Sequence, residues 1–476
     1  MKSLYKIAAI GSLCSLLLSV LFSCEDDLPG VMDTTSQMTE LKAIKIVNVG
    51  EAGNGVVEGT INEVTKEVSF PRLDTLTDFE HLRFEALLSD GAKLDQETYS
   101  VVFEEGKTEK VIVLKVQNDP RYREYLVKLR LNVPVFGAEF STPIIYDYSS
   151  NPLGNPIYAT FTGQLTRGTG FDGEHVLIVS RSAFSVTDAH LLKVSDLKNN
   201  TINRINLNVG NVAAGSLVVS GGAQINGHTY VANISGAAAS PLKIYHWTDP
   251  TQLPEVTQIN MATVPGAGTR HGDNVSFNLD QNGNGYIFYN SDTGPVLRLK
   301  VSNYSQITEP TVLSVPFTYG QWSSYLQIGN TESYLITSYT QPVSVISSSG
   351  SISYSLGASS IPKGSDARVI EFNGERYLMM ISVARGPGDV STLYLYNITK
   401  GNSITDALSS FEESDKQPIY QYNLSTIPNG APASQTGFKV IKDGEGNDSV
   451  LQLFAAAADA GFVIIEVPKK QLEEEE

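Results

Sequence analysis

Six times between residues 171 and 454 a tight turn is followed at once by an apolar run: FDGEHVLIV (171–179), INGHTYVANI (225–234), NGNGYIFY (282–289), IGNTESYLIT (328–337), FNGERYLMMISV (372–383) and DGEGNDSVLQLF (443–454). Asp-Gly or Asn-Gly stands at or next to the turn in most of them, where positive φ at the central residues favours a two-residue hairpin. The runs are too apolar for a strand with one wet face, so sheets are expected on both sides of each. A second strand follows every run: AHLLKV, PLKIYHW, PVLRLKV, QPVSVIS, STLYLYNI and GFVIIEV. Taking Gly173, Gly227, Gly283, Gly329, Gly374 and Gly444 as markers, the steps are 54, 56, 46, 45 and 70 residues. Four-strand units commonly recur every ~40–50 residues. The spacing predicts an all-β chain with a six-bladed β-propeller over residues 136–470, its outer closing strand near Asn155–Phe161, and a polar insertion at 406–418 that lengthens the last step. A seventh, degenerate repeat between 400 and 440 and stacked sandwiches of the same hairpins are the alternatives.

Residues 41–135 carry seven shorter strand-like runs: LKAIKIV, VVEGTI, KEVSF, LRFEALL, YSVVF, KVIVLKV and REYLVKLRL. In the last, Tyr125, Val127, Leu129 and Leu131 alternate with Lys128 and Arg130, the mark of a strand with one buried face. Seven such runs in so short a span predict an immunoglobulin-like sandwich. Glycine (40), tyrosine (22) and proline (21) are plentiful, and charged residues make up only 18%, a composition that suits β structure better than a helical bundle.

Ahead of the sandwich, Lys2 and Lys6 precede an almost uninterrupted apolar segment, Ile7–Phe22, that ends on LFSCEDD. The apolar segment is shorter than the ~20 residues a spanning helix needs and reads as an export signal over residues 1–23. Leu21-Phe22-Ser23-Cys24 resembles the lipobox of bacterial lipoproteins, with Phe22 in place of the usual small residue. The Glu25-Asp26-Asp27 run resembles the acidic surface-export tag of Bacteroidetes lipoproteins. The resemblance implies lipidation of Cys24, with residues 24–40 as a flexible tether, and a place on the outer membrane exposed at the cell surface. Acyl chains contribute roughly 0.8 kcal/mol per buried methylene, enough with several chains for a stable anchor. Cleavage before Cys24 also removes Cys14, so no disulfide can form within one mature chain.

Removing residues 1–23 takes two lysines and no acid, moving the formal net charge from −17 to −19. Such a balance repels polyanions and argues against nucleic acid as a partner. The closing run 471–476 reads as an acidic tail.

If the strands of each repeat follow one another antiparallel, the Asn-Gly turns share one face and the remaining loops the other, which has more room for a site. Four loops of that second face begin with an aliphatic residue and proline, at 264–274, 315–322, 361–368 and 427–437. They supply the candidate ligand-binding residues Arg270, His271, Asp273, Asn274, Gln321, Trp322, Lys363, Asp366 and Arg368, together with Gln435. Arg385, Arg181 and Asp292 join them from neighbouring loops. Trp322 suits a sugar ring and the arginines its hydroxyls or a carboxylate. Were the chain an enzyme, His271, Asp273 and Asp366 would supply the acid and base of a glycoside hydrolase or lyase. No HExxH, G-x-S-x-G, Walker loop or G-x-G-x-x-G ahead of a helix is present, which weighs against catalysis. The run beginning at Asp280 opens like a calcium loop, but its twelfth position is Ser291 where an EF-hand needs glutamate. No cofactor and no metal site are expected.

From lipobox through sandwich to propeller-like repeat, the chain resembles a poorly characterised family of Bacteroidetes outer-surface lipoproteins associated with polysaccharide utilisation. The resemblance implies capture of extracellular glycan or polysaccharide, and other surface uptake proteins as neighbours. It carries over no catalytic residues. A purely adhesive or structural role, with protein partners, is the remaining expectation.

Overall fold

The computed structural model describes residues 38–104, 106–149, 166–180, 189–210, 219–236, 240–320, 322–426 and 434–472. The chain divides into two compact units, Met1–Pro134 and Val135–Glu476.

In the first unit two sheets share one core. One sheet runs in the order Gly55–Glu58, Leu41–Val49, Leu82–Leu88, Thr98–Tyr99. The other runs Thr60–Asn62, Glu67–Ser69, Arg121–Asn132, Glu109–Asn118, Lys93–Leu94. Glu67–Ser69 lies parallel to Arg121–Asn132. The expected alternation holds in the last strand: Tyr125, Val127 and Leu129 are fully buried among Ile46, Phe84 and Leu114 from both sheets. The Tyr125 hydroxyl accepts from the Leu41 amide (3.0 Å) and donates to Glu63 (2.8 Å), so a buried phenol has partners on both sides. YSVVF departs from expectation. The ladder ends at Tyr99, and Val101 is held by one bond from its amide to the Phe79 carbonyl.

The second unit contains six four-stranded antiparallel sheets among the described residues. Each opens with one of the strands Thr166–Phe171, Gly222–Ile225, Ser276–Leu279, Ser323–Gln327, Gly364–Phe372 and Ser434–Lys442. These six inner strands touch one another in cyclic order, the last meeting the first, and all six line a single cavity. The arrangement is propeller-like. Every predicted turn joins an inner strand to the second strand of its sheet. At Asn226-Gly227 and Asn373-Gly374 both residues have positive φ (49° and 82°; 44° and 76°), the type I′ geometry that matches the twist of a two-residue hairpin.

The unbroken apolarity of the second strands follows from burial on both faces. In His175–Ser180, Val176 and Ile178 pack with Phe454 and Phe462 of the sixth sheet, whereas Leu177 and Val179 pack with Val231 and Tyr245 of the second. In Glu375–Ser382, Tyr377, Met379 and Ile381 face one neighbour and Leu378 and Met380 the other. Neither face meets water, so the period-2 pattern vanishes.

The closing strand is Ile144–Ser149, earlier in the chain than expected; residues 155–161 lie outside the described residues. It pairs antiparallel with Gly461–Pro468, from Ile144 opposite Glu466 to Ser149 opposite Gly461, and completes the sixth sheet. Tyr148 stacks on Phe462 and donates to the Leu197 carbonyl (2.6 Å) in the first sheet's short helix Val194–Lys198, while Ser149 donates to Leu424 (2.9 Å) of the fifth sheet. One strand thus secures three sheets.

The presumed polar insertion is a helix, Ile404–Glu412. A capping box between Ser403 and Asp406 satisfies its first amides, and Ala407, Leu408 and Phe411 pack into the core between the fourth and fifth sheets. The strand Tyr420–Ser425 that follows is the outer strand of the fifth sheet, so among the described residues 400–440 holds no seventh sheet. Ser403→Ala is expected to lower stability by about 1 kcal/mol, read as an earlier urea midpoint with an unchanged slope.

Candidate functional site

Antiparallel order puts the six hairpin turns on one face of the second unit and the remaining loops on the other. On the loop face, the segment entering the third sheet is pinned by paired backbone bonds between Ser235 and His271 (2.9 and 3.0 Å). Arg270 grips Asp273 through Nε and Nη2 at 2.5 and 2.6 Å, a bidentate pair that uses both carboxylate oxygens. His271 is 1% exposed, and neither ring nitrogen has a partner among the described residues. Burial pushes its pKa down to about 4, against the opposing pull of the Asp292 carboxylate, so the ring is neutral at pH 7. Asn274 is buried; its Oδ1 accepts from the Val275 amide and its Nδ2 has no partner among the described residues. This quartet holds a loop in place but exposes little chemistry.

A second group forms between the fourth and fifth sheets. Trp322 directly precedes an inner strand and Tyr339 directly follows a second strand, and the Tyr339 amide reaches the Trp322 carbonyl (3.4 Å). Arg385 comes from the corresponding loop of the fifth sheet, shaped by Asp389, whose Oδ2 accepts from the amides of Arg385 (3.1 Å) and Gly386 (2.9 Å). The Arg385 guanidinium lies 4.6 Å from the Trp322 ring and 5.0 Å from Tyr339, and Lys363 Nζ sits 5.6 Å from Tyr339. All three distances fall within cation–π range. Sequence reasoning named Trp322, Arg385 and Lys363 separately and missed Tyr339. Its signal was position, since it occupies the same between-strand loop of its sheet as Arg385 does of the next.

Asp366, Arg368 and Gln435 are elsewhere. They line the central cavity, of about 290 Å³, whose rim is formed by the exposed Asn226, Gly329 and Lys439 of the hairpin-turn face. Asp366 is 3% exposed; its Oδ1 accepts from Thr436 Oγ1 (2.5 Å), and Arg368 Nε approaches the same oxygen at 3.8 Å. Burial raises the Asp366 pKa, while the arginine and the threonine pull it down. Arg368 Nε donates to the Thr436 carbonyl (3.0 Å) and lies 3.2 Å from its hydroxyl.

Inner strands leave an unpaired edge towards the axis, and side chains take up the task of satisfying it. Gln435 Oε1 accepts from the Thr169 amide (2.7 Å) and its Nε2 donates to the Gly222 carbonyl (3.3 Å), tying the sixth sheet to the first and second. Asn278 does the same between the third and fourth, donating to the Tyr325 carbonyl (2.8 Å) and accepting from the Gln327 amide (2.7 Å).

The predicted residues therefore fall into three places. His271, Asp273, Arg270 and Asn274 form a loop anchor beside exposed Asp292; Trp322, Lys363 and Arg385 form a cationic aromatic stack; Asp366, Arg368 and Gln435 lie in the channel wall. The acid–base trio is split, since of His271, Asp273 and Asp366 only Asp366 lines the cavity. Cys24, Arg181 and Gln321 lie outside the described residues. The Asp280 carboxylate accepts from the amides of Asn282 (2.8 Å) and Asn284 (2.9 Å), as Asp443 does in the sixth sheet from Glu445 and Asn447, which makes both of them turn-forming residues.

Residues 26–470 match a family described as Domain of unknown function (DUF4623). Among solved structures the chain is similar to a DUF4623 family protein from Bacteroides eggerthii DSM 20697, with 41% identity over 91% of this chain and 99% of that one and a TM-score of 0.75. BamB from Moraxella catarrhalis shows 10% identity over 65% of this chain and 85% of that one, with a TM-score of 0.32. A quinonprotein alcohol dehydrogenase-like protein from Bacteroides thetaiotaomicron VPI-5482 shows 12% identity over 73% and 92%, with a TM-score of 0.32. No curated protein matches the chain. The profile match spans both compact units, and the chain belongs to the DUF4623 family.

Proposed function

We propose that this chain is a surface lipoprotein, anchored through Cys24, that binds extracellular glycan without catalysis. In this reading the six sheets are the blades of a six-bladed propeller, the first unit is an immunoglobulin-like spacer, and ligand meets the loop face. The observation that carries it is the stack of Trp322, Arg385, Tyr339 and Lys363, which concentrates two cations and two aromatic rings on a chain of net charge −17. A guanidinium held against two rings has little conformational freedom left to lose on binding, so its interaction with hydroxyls or an acidic group comes at a reduced entropic cost. The catalytic reading has less support: Asp273 is committed to Arg270, and Asp366 belongs to a different cavity.

Affinity gels cast with a panel of polysaccharides test the proposal. At least one polysaccharide should retard the protein, and Trp322→Ala should weaken retention about tenfold, the scale of losing one well-placed aromatic contact. A panel that retards nothing, or retardation unchanged by Trp322→Ala, rejects it. Product release abolished by Asp273→Ala or Asp366→Ala would replace it with a hydrolase or lyase, and protein ligands without any glycan would replace it with an adhesin. An unmodified Cys24 by mass spectrometry would remove the anchor.

A further inference from the structure

The central cavity opens on the face opposite the aromatic stack and has chemistry of its own. Most of the amide side chains that line it are already engaged. Gln435 and Asn278 bridge inner strands through both ends of their amides, and Gln224 accepts from Thr229 Oγ1 (2.7 Å) while donating to Asp172 (3.3 Å). Arg368 differs. Its Nε is engaged with Thr436, and among the described residues none of its contacts uses Nη1 or Nη2, although the side chain is 28% exposed in a wall of the cavity. Next to it, the Asp366 carboxylate takes the Thr436 hydroxyl on Oδ1 and a further hydrogen bond from the Thr436 backbone. The outer edge of a guanidinium, fixed by its inner nitrogen, matches a carboxylate in two parallel bonds.

The rest of the wall sets the size and shape of what that edge can bind. Phe171, Phe277 and Phe438 line the same cavity, and aromatic rings offer packing to the C–H face of a sugar as the polar groups do to its hydroxyls. A volume of about 290 Å³ lies at the small end of ligand sites, suiting one ring and not an oligomer. Lys439 on the rim adds a second cation, and Asp172 is occupied: its Oδ2 accepts from the Gly227 amide (3.1 Å) and its Oδ1 from the amides of Glu174 (3.0 Å) and His175 (2.8 Å).

We propose that the central cavity is a binding site for a single carboxylated sugar, free or at the end of a chain, with its carboxylate on Nη1 and Nη2 of Arg368. This site is separate from the loop-face stack and stands whether or not that stack binds glycan. The Asp366 carboxylate beside it acts against an anionic ligand, so neutralising Asp366 strengthens binding.

Isothermal titration of the purified chain with D-galacturonate, trigalacturonate and D-galactose provides the test. Galacturonate should bind and galactose should bind at least tenfold more weakly. Binding of the trimer as tight as that of the monomer identifies a chain end at the rim, and binding of the monomer alone identifies a free sugar acid; both uphold the site. Arg368→Lys should weaken galacturonate at least tenfold, because a point charge cannot replace the bidentate edge. Asp366→Asn, nearly isosteric and able to keep a hydrogen bond with Thr436, should tighten it severalfold. Absence of galacturonate binding, equal affinity for galactose, or indifference to both Arg368→Lys and Asp366→Asn would each overturn the proposal.

Discussion

Gly170→Ala is expected to destabilise the second unit by about 3 kcal/mol, the upper part of the range for overpacking a close-packed interior. The inner strand of the first sheet has glycines at 168 and 170, which lie on the same face because side chains alternate along a strand. A β-carbon at Gly170 would stand 2.3 Å from the Gln224 amide nitrogen and 2.6 Å from the Ala223 carbonyl carbon; one at Gly168 would stand 2.3 Å from the Ser220 carbonyl oxygen. These obstacles are backbone atoms of the second sheet's inner strand and its approach. No rotamer change can clear them, so the two sheets must separate. In a ring, displacement of one pair strains every other, including the bonds of Gln435 to Thr169 and Gly222. Both tryptophans, Trp247 and Trp322, belong to the second unit, so tryptophan fluorescence during urea unfolding reports on that unit by itself. Gly444→Ala is the control. Nothing lies within 4 Å of its would-be β-carbon, and a surface change of this kind is expected to stay within about 0.5 kcal/mol. Equal unfolding midpoints for the two variants would show that the close approach of the first two sheets is not a constraint.

The glycines at 168 and 170 mark a limit of sequence reading in this chain. Hairpin turns announce themselves, because a type I′ geometry selects Asn-Gly, and runs apolar on both faces follow from two-sided burial. The six inner-to-second-strand turns and all six third strands were legible for that reason. Inner strands carry no such mark. Their sequences, such as TRGTGF and SQTGFKVIK, are polar or glycine-rich because one edge faces an aqueous axis and closely packed backbones flank the other atoms. The closing strand IIYDYS was passed over because no turn precedes it and its partner is more than three hundred residues away. The helix at Ile404–Glu412 did carry a signal, with Ile404, Ala407, Leu408 and Phe411 at helical spacing behind a Ser-Asp capping pair. It was masked by the charges that follow. Among the candidate residues, sequence order placed Asp366 and Arg368 in a loop at the channel mouth. The strand instead begins at Gly364, and a register shift between Gly364 and Asp366 carries both side chains into the wall.

Acid should unfold the second unit well above the usual carboxylate range, because three imidazoles are buried in neutral form. His190 is held down to about pKa 3, first by burial and then by Arg204, whose Nη2 lies 2.9 Å from its Nδ1. His246 is held at about 4 by burial and by His228, its partner at 2.9 Å, and His271 at about 4 by burial. In the unfolded chain each titrates near ~6.5. The unfolded state therefore binds protons first as pH falls. The stabilisation from each neutral imidazole is fully present above pH ~6.5 and is lost progressively down to its folded pKa, on the order of 3 kcal/mol apiece for His246 and His271. Near pH 5 the three together give a slope of about 4 kcal/mol per pH unit, large against a total stability of ~5–15 kcal/mol. Asp366 works the other way. Its raised pKa makes the charged form unfavourable in the fold, so protonating it relieves part of the loss at the acid end of the window. Tryptophan-detected urea midpoints should hold steady from pH 8 to 7 and fall steeply between pH 6.5 and 4.5. His190→Gln, which removes one titrating ring, should flatten that fall by about one third, at the expense of some stability at neutral pH. A midpoint that does not move between pH 7 and 5 would mean that the rings are charged or solvated in the folded protein, and the unpartnered burial of His271 would then have to be abandoned.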